Sequence, residues 1–116
     1  MKVERNLTTF TVEEPKEFSI NEIGKDLFEI KLYENIEQVE KDGEIQFHSK
    51  LSMVTTKCKN LDELKGAMVK LKYNQDQEYA VMNKGIISFS DYDYQEYRDF
   101  VSMCKIKANE FWENKY

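Results

Sequence analysis

Apolar residues alternate with polar ones through residues 28–53 and then change period. Phe28, Ile30 and Leu32 fill every second position, and Phe47, Leu51 and Met53 keep the same alternation further on with Ser49 interposed. That two-residue period belongs to strands with one face turned to a core. Asp42-Gly43 stands between the two runs and supplies the positive φ angles of a tight type I′ turn. Folding the chain there sets Leu32 opposite Met53, Ile30 opposite Thr55, Ile36 opposite Ser49 and Glu34 opposite Leu51. One face then collects Phe28, Ile30, Leu32, Ile36, Phe47, Leu51 and Met53. The other shows mainly Glu29, Lys31, Glu37, Gln46, His48, Lys50 and Ser52. A slip of one residue would move each apolar set to the wrong face, so the pattern specifies its own register.

A lone hairpin is marginal in water and needs a further strand or a helix on its apolar face. Thr8–Val12 reads as a third strand, stopped by Pro15, the only proline. Phe18–Ile20 reads as a short strand within a connecting loop, with a turn at Gly24-Lys25-Asp26.

From residue 60 the apolar spacing becomes three and four. Asn60 with Glu63 forms a capping-box pattern, and Leu61, Leu64, Met68 and Leu71 share one helical face. Asn74 with Gln77 caps a second helix, from about Gln75 to Lys84, which Gly85 is expected to terminate. Ser90 and Asp93 are expected to cap the last helix, lined on one side by Tyr97, Phe100, Val101, Cys104, Ala108 and Phe111. The fold class is therefore α+β. An antiparallel β-hairpin or three-stranded meander within residues 1–58 is expected to pack against two or three helices within 60–115, in a single domain over 1–116.

Composition narrows the classes. A chain of 116 residues buries roughly two thirds of its unfolded surface, enough for a core without metal or disulfide. Seventeen basic against twenty-two acidic residues give −5, which argues against binding nucleic acid by phosphate neutralisation. Apolar runs are too short for a bilayer span or a signal peptide. Two cysteines, Cys58 and Cys104, suit a reducing compartment.

Catalytic constellations are hard to assemble from these residues. Four glycines form neither a dinucleotide fingerprint nor a P-loop. His48 is the only histidine and is expected at the solvent side of the hairpin. Cys58 and Cys104 lack the companions that a zinc site needs. Cys104 falls on the apolar stripe of the last helix, where it acts as a small hydrophobe. Carboxylates mostly alternate with lysine, as on a solvated surface. No catalytic, cofactor-binding or metal-binding residue is assigned.

One segment stands out. Asp91-Tyr92-Asp93-Tyr94-Gln95-Glu96-Tyr97 interleaves three tyrosines with acids, and tyrosine offers a large rigid body with a polar tip to a protein partner. Tyr92, Tyr94 and Tyr97, with Trp112 and Tyr116, are the candidate protein-contact surface. The competing reading is a helix start whose acids complement the dipole, with Tyr94 and Tyr97 in the core and Trp112 and Tyr116 capping it.

The stretches Leu71-Lys72-Tyr73, Asp76-Gln77-Glu78-Tyr79-Ala80, Tyr94-Gln95-Glu96-Tyr97-Arg98-Asp99-Phe100-Val101 and Cys104-Lys105-Ile106-Lys107-Ala108 together resemble small proteins of bacteriophages and prophages of Gram-positive bacteria. Those proteins look like products of the late, tail-related gene region. They share a lysine–tyrosine, Asp-x-Glu-x-Ala, Glu-Tyr, Cys-Lys-x-x-Ala pattern, and the likeness spans residues 68–111. The resemblance implies a tail-associated structural or assembly-accessory role in the virion or host cytoplasm. Its implied partners are other phage tail or assembly proteins, with self-association also open. It carries over no catalytic residue, cofactor, small-molecule substrate, nucleic acid or membrane. The alternative reading is a phage-encoded acidic inhibitor of a host factor, its carboxylates imitating nucleic-acid phosphates.

Overall fold

The computed structural model describes residues 2–115 and has an α+β architecture. Four strands come first: β1 (Val3–Thr11), β2 (Phe18–Gly24), β3 (Leu27–Lys41) and β4 (Glu44–Lys57). Three helices follow: α1 (Leu61–Lys70), α2 (Gln75–Ile87) and α3 (Tyr92–Lys115). The chain divides into two compact units, one running up to Lys57 and the other starting at Cys58.

The first unit is one antiparallel sheet of order β1-β4-β3-β2. Phe18–Ile20 is therefore not a fragment in a loop but the start of a full strand. β2, β3 and β4 form a meander, and β1 joins the far side of β4. Residues 12–17 must carry the chain across three strand spacings of about 4.8 Å, a span six extended residues cover. The Tyr33 N–H anchors this crossing by donating to the Glu17 carbonyl at 2.8 Å.

At the β3–β4 turn, Asp42 has φ 54° and Gly43 φ 81°, with Lys41 paired to Glu44, as the type I′ pattern requires. Glu37 faces His48 and Val39 faces Gln46. Beyond these the expected register fails. β3 carries an extra residue between Glu34 and Glu37, so that Asn35 and Ile36 stand opposite Ser49 alone. Leu32 meets Ser52 instead of Met53, Ile30 meets Val54 instead of Thr55, and Glu34 meets Lys50 instead of Leu51. The cause is a β-bulge at Asn35, whose φ of 53° suits one of the few side chains that tolerate the left-handed region. The faces are re-sorted in consequence. Phe28, Ile30 and Leu32 lie with Ser52, Val54 and Phe18 of β2, all buried. Leu51 and Met53 turn to the opposite face with Tyr33, half-buried. The other non-glycine residues with positive φ, Asn6, Asp26 and Asp42, all sit at bulges or turns and are all Asn or Asp.

In the second unit α3 packs against both α1 and α2. Leu64, Met68 and Leu71 are fully buried, with Val81 from α2 and Phe100, Cys104 and Ala108 from α3. The Asn60 side chain accepts from the Glu63 N–H at 2.9 Å, while Glu63 accepts from the Lys59 N–H at 2.7 Å, one residue earlier than a full box. Asn74 and Gln77 do close a reciprocal box, each bond 2.8 Å. α3 is capped by Asp91, which accepts from the Tyr94 N–H at 3.1 Å, and not by Ser90 or Asp93.

Gly85 does not end α2, which runs on to Ile87. A methyl group at residue 85 would lie 2.3 Å from Cδ1 of Tyr94. The glycine permits close approach of α2 to the Tyr94 ring. It is not a left-handed cap.

Candidate protein-contact surface

The five aromatic residues singled out from sequence have different fates. Tyr97 is half-buried; its hydroxyl donates to Glu78 Oε1 at 2.9 Å, and its ring meets Tyr73 edge-on with centroids 5.0 Å apart. Glu78 Oε2 accepts from Lys70 Nζ. Burial first, and then the Glu78 hydrogen bond and charge, push the Tyr97 hydroxyl up to about 12. Tyr97 is thus a structural tie between α2 and α3. Tyr94 lies over Gly85 and against Phe89, ring centroids 5.8 Å apart. Tyr92 is 78% exposed.

Trp112 belongs to another region. It is half-buried, with Lys115 Nζ 4.9 Å from its ring centroid. Twenty residues of α3 separate it from Tyr92, roughly 30 Å along the axis and about 200° around it. The contact surface expected from Tyr92, Tyr94, Tyr97 and Trp112 does not come together as one patch. Tyr116 lies outside the described residues.

Exposed apolar side chains concentrate in the segment of chain just before Tyr92. Ile86 is 83% exposed, Ile87 88% and Phe89 63%, at the end of α2 and in the turn to α3. Tyr79 and Met82 of α2 are exposed as well. Soluble chains expose single apolar residues freely, and several within one short segment make that segment the candidate contact surface. The corner is held rigid beneath. Arg98 sits with its guanidinium carbon 4.8 Å from the Phe89 ring centroid, and Gln95 Nε2 donates to the Phe89 carbonyl at 2.6 Å. Lys84 Nζ donates to Asp93 Oδ2 at 2.6 Å, which raises the pKa of the lysine and joins the last turn of α2 to the first of α3. Sequence reading missed Ile86 and Ile87 because ending α2 at Gly85 placed them in a loop. The spacing of Tyr79, Met82 and Ile86 by three and four was the signal available.

The rest of the molecule offers little converging chemistry. A cleft of about 540 Å³ in the sheet unit is rimmed by Glu13, Glu14, Lys16 and Asn21, and its lining holds no histidine or cysteine. A hollow of about 290 Å³ in the helical unit has Tyr73, Ala80 and Val81 in its lining, with Lys72–Glu96 and Lys84–Asp93 paired at its rim. His48 is half-buried instead of facing solvent, its ring centroid 6.2 Å from that of Phe10. Cys58 and Cys104 are buried thiols. Burial, reinforced by the Glu63 charge, raises the Cys58 pKa and so suppresses the thiolate a nucleophile would need. Among the described residues no three His, Cys, Asp or Glu side chains gather to share a metal ion, and no helix is long and apolar enough to cross a membrane.

No protein-family model, curated protein or solved structure matches the chain.

Proposed function

We propose that this is a non-enzymatic bacteriophage or prophage protein, a tail-associated structural or assembly-accessory component that works by protein–protein contact. The observation that carries the contact is the apolar corner of Ile86, Ile87, Phe89 and Tyr92, each more than half exposed on a backbone tied down by hydrogen bonds. A pre-ordered apolar surface loses little side-chain entropy on docking. The resemblance of residues 68–111 to late tail-region proteins supports the phage setting. Acidic mimicry of nucleic acid receives less support, since Glu78, Asp93 and Glu96 are each paired with a lysine.

The test is recovery. Mass spectrometry of purified particles from induced cells is expected to find the chain at a stoichiometric level. A Phe89→Asp, Tyr92→Asp variant is expected to drop out while remaining soluble and helical. A variant retained at the wild-type level refutes the reading, and a chain found only free in the lysate refutes the structural role and leaves the assembly-accessory one.

A further inference from the structure

Strand order β1-β4-β3-β2 leaves β1 and β2 at the edges of the sheet, each with a strand on one side only. An edge strand turns alternate backbone N–H and C=O groups away from its neighbour, and folded chains guard that row with charge, proline or a bulge. β2 is guarded. It carries Glu22, and its register is irregular between Glu22 and Gly24. β1 is unguarded over most of its length. The irregularity in its register lies between Glu4 and Leu7, and from Leu7 to Thr11 its pairing with β4 is unbroken. Residues 7–12, Leu-Thr-Thr-Phe-Thr-Val, hold no charge, glycine or proline, and four of the six are β-branched. Leu7, Thr8, Phe10 and Val12 are exposed, Phe10 by 65% and Val12 by 78%.

We infer that β1 accepts an extended segment of another protein as a fifth strand, uncharged over about six residues and bearing lysine or arginine where it passes Glu13 and Glu14. Three observations select this occupant. The first is hydrogen bonding. Only an extended backbone offers donors and acceptors at the two-residue repeat of an open edge, so neither a helix nor a small molecule matches it. The second is the placement of apolar side chains. Leu7 and Phe10 are three positions apart in unbroken pairing, so they lie on opposite faces of the sheet, and a strand beside them finds an apolar neighbour on each face. The third is charge. The strip is neutral and runs directly into Glu13 and Glu14, both exposed, in a chain of net charge −5. That favours a segment with a basic end and repels a second copy. Area also disfavours a second copy. Leu7, Phe10 and Val12 together expose on the order of 400 Å², about half of the roughly 800 Å² per partner in a standard interface. The strip belongs to the sheet unit and owes nothing to the apolar corner of the helical unit.

The test is fluorescence anisotropy of a labelled synthetic peptide, six alternating threonines and valines with a lysine at each end, titrated with the full chain. Binding is expected with a dissociation constant of about 100 μM. Methylating the amide nitrogens of alternate residues removes one hydrogen-bonding edge of the peptide. Of the two peptides so made, one is expected to bind at least about tenfold more weakly and the other as the parent does. Phe10→Lys sets a lysine on the edge and is expected to weaken binding at least about tenfold with an unchanged circular dichroism spectrum. Ile45→Lys, which alters another exposed apolar side chain on the β3–β4 hairpin, is expected to bind as wild type. Amide hydrogen exchange is expected to slow within residues 7–12 when the peptide is bound. No binding at about 1 mM, equal binding of the two methylated peptides, or protection confined to other residues overturns the inference. A wild-type dimer in sedimentation equilibrium at about 100 μM, converted to monomer by Phe10→Lys, overturns the occupant in favour of a second copy.

Discussion

Gly85→Ala tests the packing of the helical unit at the point where local propensity and tertiary contact disagree. Taken by itself, a glycine inside a helix is unfavourable, and alanine there should stabilise by about 0.5–1 kcal/mol. The contact with Tyr94 reverses the sign. The added methyl would lie 2.3, 2.4 and 2.6 Å from Cδ1, Cε1 and Cγ of that ring, where carbon pairs normally rest at about 3.5–4.0 Å. The ring must retreat by about an ångström. It has little freedom to do so, with its backbone N–H held by Asp91 and its ring centroid 5.8 Å from that of Phe89. Overpacking of this kind costs about 1–3 kcal/mol, which leaves a net destabilisation of about 0.5–2 kcal/mol after the propensity gain. Urea unfolding followed by far-ultraviolet circular dichroism measures it. The same substitution in a Tyr94→Ala background is expected to stabilise by about 0.5–1 kcal/mol, because the obstruction is gone. If Gly85→Ala stabilises both backgrounds equally, α2 and Tyr94 do not approach as described.

Two further outcomes follow from the same geometry. The Tyr97 hydroxyl is raised from 10 to about 12, so the folded chain favours its protonated form; the associated stability is complete below pH 10 and is lost as pH rises toward 12. Unfolding midpoints measured across that window are expected to fall more steeply for wild type than for Tyr97→Phe, and equal slopes would contradict the burial of the hydroxyl against Glu78. Asn35→Val places a β-branched residue at φ 53° and is expected to cost about 1–2 kcal/mol in the same urea assay, whereas Asn35→Gly is neutral or stabilising; an unaffected Val variant would mean the bulge is elsewhere.

Much of the fold was legible along the chain. The Asp42-Gly43 turn, the change of period near residue 60 and the caps at Asn60 and Asn74 are local chemistry, read from a few neighbouring residues. The bulge at Asn35 was not legible, since an asparagine within an otherwise regular strand gives no sign of whether the backbone will take the left-handed conformation there. It moved Leu51 and Met53 to the other face from Leu32 and added Ser52 and Val54 in their place. The contact surface was legible only in part. Tyr92 is exposed as the aromatic–acidic pattern suggested, while Tyr97 and Tyr94 are drawn inward by Glu78 and Gly85.

By itself, then, the sequence determined the element types, the main turn, two helix starts and the α+β class, because hydrogen-bonding side chains and hydrophobic period act over one turn or one strand pair. Tertiary structure alone decided the register beyond the bulge, the continuation of α2 through Gly85, and which side chains of Tyr79–Tyr92 remain exposed. Those outcomes depend on what stands opposite each residue, and residues distant in the chain supply it: Ser49 opposite the bulge, and the Tyr94 ring against Gly85.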